Sequence, residues 1–381
     1  MKKFIMVLLI LALAWPISGS AEDLEWSLGV DLSGLKSTDG QQLILSPQPK
    51  EIPARPSDPK ALPKEDPLHW YDMEFVGWGD KKINIPESPK DGAKGHSVIV
   101  ILNGDHPYLT AYSNGAQMIA DAYKMKLTVW SPNWDSAKQN QMIDEAIIEN
   151  PDMLVWLPLD AKLAVQQARK VNRAGIPIIL SNMLPEAEAL KYAIAWTGPD
   201  DWGQMRMVSR AFADKIGKKG GIAYTTHSPG GSPYFARMWG PRSEFSSYAP
   251  GLEFLDAQWG KFQPDENLRI TLDWITRFGD KLNGIVCAGD GGTATGVIEA
   301  LKKANRSDVL VMAAGNSKTG MDYVKSGDIY AISYQSPMAD GAYMMKAAAD
   351  WFNGKEVDPV TYLPKHVITK KDVENFYPPQ W

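Results

Sequence analysis

A single cysteine, Cys287, in 381 residues excludes an intrachain disulfide. It sits inside the apolar run Gly284–Ala288, where a buried and inert thiol is the expectation, not an activated nucleophile. The five histidines, at 69, 96, 106, 227 and 366, form neither a His-x-x-x-His pair nor a Cys/His cluster, so zinc chemistry has no support and no metal site is expected. No Gly-x-Ser-x-Gly elbow is present, which removes the serine-hydrolase pattern of α/β folds. Basic charge is also in short supply. Without Lys2 and Lys3, 38 of the 40 basic residues face 45 acidic ones, a net of −7. Nucleic acid is therefore not an expected partner, because such binding is driven by basic side chains releasing counterions. Beyond residue 21 no apolar run is long enough to span a bilayer, which takes roughly 18–20 residues.

Residues 1–21 carry a charged start (Lys2, Lys3), an apolar stretch of eleven residues (Phe4–Ala14) and the small residues Gly19-Ser20-Ala21. This reads as a signal peptide, with the mature chain starting at Glu22 and a periplasmic destination expected. No cysteine stands at the cleavage point to carry a lipid.

Residues 22–96 read as an N-terminal extension. Seven prolines between Ser46 and Pro67, interleaved with charges, forbid a regular helix or a central strand there. The aromatic cluster His69, Trp70, Tyr71, Phe75 and Trp78 predicts that the second half packs on the body.

From Ser97 onward short apolar runs alternate with amphipathic stretches. The runs are Ser97–Leu102, Leu127–Ser131, Met153–Pro158, Ile176–Ser181, Tyr192–Trp196, Gly221–Thr225, Leu252–Gln258, Gly284–Ala288, Val309–Ala313 and Ile329–Tyr334. Between them lie helix-like stretches such as Asn140–Glu149, Lys162–Ala174, Trp202–Lys215, Thr293–Ala304 and Ala339–Phe352. Continuous apolar strands suit parallel sheets covered on both faces, and a mature chain of this length suits two lobes. The expectation is an α/β fold of two doubly wound parallel-sheet lobes joined by a three-strand hinge, 97–198 plus 336–363 and 199–335 plus 364–381. The crossings are placed near Gly198–Pro199, Gln335–Ser336 and Leu363–Lys365.

Such sheets bind ligands beyond the carboxyl ends of their strands. The segments leaving those ends are rich in amides, carboxylates and aromatics, which suits a small polar molecule with apolar faces. Among the aromatics, Tyr108, Trp239 and Phe262 are candidate ligand plates and Trp134 and Trp196 weaker ones; Trp70, Trp78, Trp274 and Trp351 are assigned to packing. The stretch "AGDGGTATG", Ala288–Gly296, follows a strand and opens a helix, but lacks the Gly-Lys-Ser/Thr ending of a P-loop and the dinucleotide spacing. Its glycines are read as allowing close backbone approach to a ligand held by Asp290.

At this point the chain resembles the periplasmic sugar-binding proteins of ABC importers, of the ribose-binding type within the type I periplasmic binding protein family. The similarity covers about Ser97 to Asp358. It rests on "HPYLTAYSNGA", "AGIPIILSN", "GIVCAGDGGTATGVIEALKKAN" and "GDIYAISYQSP" in that order. The resemblance implies that His106 supplies a hydrogen bond and Tyr108 a stacking face from the first lobe. It places Asn182 where the family has a hydroxyl-gripping aspartate, Phe262 at a stacking aromatic, Asp290 at an asparagine or aspartate, and Gln335 at a glutamine near the hinge. Arg237 and Asn316 complete the candidate set with Trp239. Three departures stand out: Met183 where ribose binders have an arginine, Leu109 where they have a second aromatic, and Trp239 at the position of another arginine, with Arg237 and Arg242 nearby. Losing the aspartate–arginine pair removes a charge-assisted grip, so ribose itself is not carried over.

The expected function is capture of a monosaccharide or similar small polyol by a monomeric, cofactor-free protein that catalyses nothing and delivers its ligand to an inner-membrane ABC permease. A sensor that presents the same ligand to a histidine kinase or chemoreceptor, and a secreted α/β enzyme, are the alternatives.

Overall fold

The computed structural model describes residues 18–46, 50–64, 66, 68–77, 79 and 81–381. The expected leader therefore falls largely outside the described residues, as does Trp78. The expected cleavage point lies inside helix α1 (Ser18–Leu28).

The first sheet is built from β1 (Ser97–Ile101), β2 (Lys126–Trp130), β3 (Met153–Trp156), β4 (Ile178–Ser181), β5 (Ala195–Gly198) and β11 (Val360–Tyr362). The second holds β6 (Lys219–Thr225), β7 (Gly251–Gln258), β8 (Leu282–Cys287), β9 (Leu310–Ala313), β10 (Ala331–Tyr334) and β12 (His366–Thr369). Their orders are β11-β5-β4-β3-β1-β2 and β12-β10-β9-β8-β6-β7. Every pairing is parallel except that of β12 with β10. All ten apolar runs read from the sequence carry a strand. The fifth is shifted: Ala195–Gly198 replaces Tyr192–Trp196, and the Tyr192 hydroxyl instead accepts a hydrogen bond from Arg169. The middle strands β3, β4, β5 and β10 are buried at every residue, as sheets covered on both faces require.

The helices complete the layers: α2 (Pro107–Tyr123), α3 (Ser136–Glu149), α4 (Leu163–Arg173), α5 (Ala187–Leu190), α6 (Asp201–Ile216), α7 (Ser232–Tyr248), α8 (Pro264–Phe278), α9 (Gly292–Lys303), α10 (Lys318–Ser326) and α11 (Pro337–Phe352). Local chemistry sets their starts. Asp135, Asp200, Ser317 and Ser336 each accept a backbone N–H of the turn they open, and His106 with Pro107 does the same for α2. The chain passes from the first sheet to the second after β5, returns after β10 so that α11 packs on α2, and leaves again between β11 and β12.

Helices α2 and α11 meet backbone to backbone. A Cβ on Gly115 would overlap the Met338 carbonyl, and one on Gly341 the Tyr112 carbonyl. This contact sets Asp340 beside Tyr108.

Among the described residues of 29–76, contacts reach both lobes. Leu43 is fully buried in the core around α2 and α11, while the Tyr334 hydroxyl donates to Asp39 at 3.0 Å. Tyr71 packs on Trp202 at 4.8 Å and on Phe235 at 6.3 Å. Buried Glu74 pairs with Arg206 of α6, and Val76 enters the core around β3 and β4. Lys50 bridges Asp200 and the Glu74 carbonyl.

Candidate ligand-binding site

The residues that converge do so where the two sheets face one another. At the exit of β1, His106 takes an extended conformation and its Nδ1 accepts the Tyr108 amide at 3.2 Å, which orients the first turn of α2. The Tyr108 ring is thereby buried with its hydroxyl inward. That hydroxyl donates to Asp340 Oδ2 at 2.8 Å and accepts from Gln335 Nε2 at 2.7 Å. Asn182, left-handed at φ 61° just past β4, donates from Nδ2 to the same Asp340 oxygen at 2.5 Å. Behind it, Asn316 Oδ1 accepts the Gln335 amide at 3.1 Å. Tyr108, Asn182, Gln335 and Asn316 thus form one connected network, with Asp340 at its centre.

Asp340 is the residue that the sequence did not reveal. It stands in the first turn of α11, where an acidic residue reads as a partner of the helix dipole. It is 0 % exposed, and among the described residues no cation pairs with it and its Oδ1 has no hydrogen-bond partner. Burial outweighs the hydrogen bonds from Asn182 and Tyr108 and, with the negative Asp201 nearby, pushes its carboxyl up to about 7. An acceptor held in place with one oxygen unused is ready for a donor from outside the chain. The buried Asn103 Oδ1, at the exit of β1, is similarly unpaired among the described residues.

The second lobe contributes a separate group. Arg237 of α7 donates to the Ala288 carbonyl at 2.8 Å and pairs with Asp201 at 3.1 Å. Asp290 is buried, and its Oδ2 accepts the Ser317 amide at 2.6 Å, so part of its acceptor capacity serves the start of α10. Burial, opposed by those hydrogen bonds, raises its carboxyl to about 6. Phe262, left-handed at φ 57° and 37 % exposed, lies over Gly289 and meets the His227 ring edge-on at 4.8 Å. Burial, followed by the neighbouring Arg237, drives His227 down to about 3, so this imidazole is neutral.

Trp239 is not part of either group. Its ring is covered by Arg242 at 4.6 Å and by Lys64 of the extension at 5.5 Å. Trp196 is wholly buried and donates to the Met183 carbonyl, whereas Trp134 is half exposed beside Gly104. Two glycines of Ala288–Gly296 pack closely against the chain itself. A Cβ on Gly292 would overlap the Phe262 carbonyl and one on Gly296 the Pro264 carbonyl, so the close approach is to the chain's own segment 262–264. Cys287 is buried, which raises its thiol to about 12.

The two lobes touch across this region. The Leu184 amide donates to Ser232 Oγ at 2.9 Å, and Met183 Cε lies against Gly231. Met183 also accepts Asn103 Nδ2 on its sulfur at 3.0 Å.

The family description "Periplasmic binding protein domain" matches residues 97–356, more than half of the chain. The chain belongs to this family. Among curated relatives, the xylitol-binding protein of Mycolicibacterium smegmatis is 27% identical over 269 residues, 70% of this chain and 75% of that one. The ribose import binding protein of Bacillus subtilis is 24% identical over 70% of this chain and 85% of its own. Among solved structures, an ABC transporter solute-binding protein from Bacillus halodurans with bound myo-inositol superposes with a TM-score of 0.69 at 23% identity, covering 76% of this chain and 99% of its own. One from Actinobacillus succinogenes with bound D-allose gives 0.68 at 22%, covering 74% and 100%. These structures establish the two-lobed type I architecture. The matched region begins at β1, so residues 22–96 are an addition to the shared fold.

Proposed function

We propose that this protein captures a small polyol or monosaccharide between its two lobes in the periplasm and delivers it, without chemical change, to an ABC permease. The observation that carries the reading is the Asp340 carboxylate. It is buried at the meeting of the lobes, oriented by Tyr108 and Asn182, and left with a free acceptor oxygen toward which a ligand hydroxyl can donate. A ring or chain with apolar C–H faces and several hydroxyls matches this mixture of Tyr108, Phe262, Asn182, Asp290, Arg237 and Gln335. His106 holds the α2 turn through Tyr108 N. A ligand that touches both groups binds the closed arrangement best and shifts the population toward it. The likeness to xylitol- and ribose-binding relatives supports the same ligand class, and residues 1–21 supply an export leader.

The test is thermal unfolding of the mature chain with xylitol, myo-inositol, D-ribose and D-allose, alongside amino acids and peptides. A specific ligand at a hundred times its Kd adds about 2.7 kcal/mol to the folded state. A melting point raised by a polyol supports the reading. A rise with an amino acid or peptide alone refutes it.

A further inference from the structure

Residues 370–381, which follow β12, lie beyond the matched domain and end on Trp381 beside the first-lobe aromatics. Three anchors hold this segment. The Tyr377 hydroxyl donates to Asp322 at 2.7 Å, fixing the segment to α10. Gln380 bridges the lobes: its Oε1 accepts Ser336 Oγ at 3.0 Å and the Met338 amide at 3.1 Å, and its Nε2 donates to Asp39 at 2.9 Å. The Trp381 carbonyl accepts the Lys318 amide at 2.8 Å. Between these anchors Pro378 and Pro379 have their φ angles fixed by their rings, which leaves the chain little freedom to lose.

The indole lies 5.5 Å from the Tyr108 ring, edge-on, and 5.3 Å from the His106 ring. It forms one wall of an open depression whose other sides are Asp105, His106, Thr110, Asn114 and Gln380. Its Nε1 is buried and has no hydrogen-bond partner among the described residues. An indole N–H shielded from water ordinarily finds an acceptor. Leu109, which the resemblance puts where ribose binders carry a second aromatic, is buried among the apolar residues of α2 and α11. The first lobe thus lacks a side chain it would be expected to have, and an aromatic ring reaches the same neighbourhood from a distant part of the chain.

We propose that Trp381 is a specificity-determining residue of the ligand site, placing an aromatic face and an indole N–H donor against a polyol hydroxyl beside Tyr108. This rests on the polyol reading and adds to it a ligand contact supplied from outside the shared domain. The ligand class that fits has a C–H face for the indole and an oxygen acceptor at its edge, adjacent to the hydroxyl that meets Asp340.

The experiment is calorimetric titration of the mature protein, Trp381→Ala and Trp381→Phe with xylitol, myo-inositol, D-ribose and D-allose. For whichever compound the unaltered protein binds, Trp381→Ala is expected to weaken binding roughly 10- to 100-fold, and Trp381→Phe to fall between, keeping the face and losing the donor. A second measurement separates ligand contact from support of the hinge. The indole ¹⁵N–¹H cross-peak absent from Trp381→Phe should move when ligand is added to the unaltered protein. If the unaltered protein binds none of the four, the polyol reading falls and this inference with it. If it binds one, and Trp381→Ala binds that compound within twofold or the cross-peak stays in place, only the inference is overturned.

Discussion

Replacing Asp340 by asparagine should make the ligand-free protein more stable and the site weaker. In the folded chain the carboxyl keeps its proton up to about pH 7, against an ordinary 3.8, because burial disfavours the charge. Between these two values the folded state binds more protons than the unfolded one, so stability falls as pH rises through that window. At pH 8 the whole window from 3.8 to about 7 has been crossed and the cost is about 4 kcal/mol; at pH 5 only the part above 3.8 counts, less than half of that. Asparagine carries neither cost. Its amide oxygen can still accept from Tyr108 and Asn182, and its NH₂ takes the place of the unpaired Oδ1. Urea unfolding at both pH values should therefore show Asp340→Asn gaining on the original chain, with the gain growing by roughly 2–3 kcal/mol from pH 5 to pH 8. Binding should move the other way. A hydrogen bond to a charged acceptor is worth about 1.5–3 kcal/mol, so losing Oδ1 as an acceptor weakens polyol binding roughly 10- to 150-fold. Because the ligand favours the ionised carboxylate, affinity of the original chain should rise between pH 6 and 8 with release of a proton. A variant less stable at pH 8 than at pH 5 relative to the original, or one that binds its polyol unchanged, would refute the reasoning.

Three further perturbations test the scaffold. Tyr108→Phe removes the hydroxyl shared by Asp340 and Gln335 and should weaken polyol binding about tenfold or more, measured by titration, with the ring's packing retained. Gly341→Ala forces a methyl into the Tyr112 carbonyl across the α2–α11 contact; a loss of about 1–3 kcal/mol or more in urea unfolding is expected, together with weaker binding because Asp340 is displaced. Burial alone would raise Asp200, but the Lys50 and Lys365 ammoniums hold it down to about 2, so it stabilises the fold above its unfolded value of 3.8 and that contribution is lost as pH falls toward 2. Lys50→Met should reduce stability at pH 7 by roughly 1–2 kcal/mol and flatten the acid limb of the stability curve.

Ten of the strands were legible as short, mostly apolar runs, which for β3, β4, β5 and β10 means burial at every residue, while the edge strands β2 and β7 stay largely exposed. β11 and β12 were not, since Val360-Thr361-Tyr362 and His366-Val367-Ile368-Thr369 mix polar residues into three- and four-residue edge pieces. Helix α7 gave a weak pattern for a different reason: it contains Pro233, Gly240 and Pro241, which local propensity assigns to turns and tertiary packing overrides. Tyr108, Asn182, Gln335 and Asn316 could be picked out because each lies at a strand exit. Asp340 and Trp381 could not. Their significance depends on neighbours 232 and 273 positions away in the chain, brought together by the contact of two glycines and by the anchoring of residues 370–381. The close approach of Gly292 and Gly296 to segment 262–264 was not legible, because it is specified only by the packing of α8 on α9.

The short span from Tyr71 to Val76 bears on how this protein exchanges its cargo. Tyr71 and Glu74 are fixed to α6 and α7 in one lobe, and Val76 is sealed into the core of the other. Five residues can reach about 18 Å when fully drawn out, so this span acts as a tether whose slack is set by its length. Parting the lobes beyond that reach requires Val76 to leave its core or Glu74 to lose Arg206. The extension thus limits how far the two lobes can part without breaking a contact it makes to one of them.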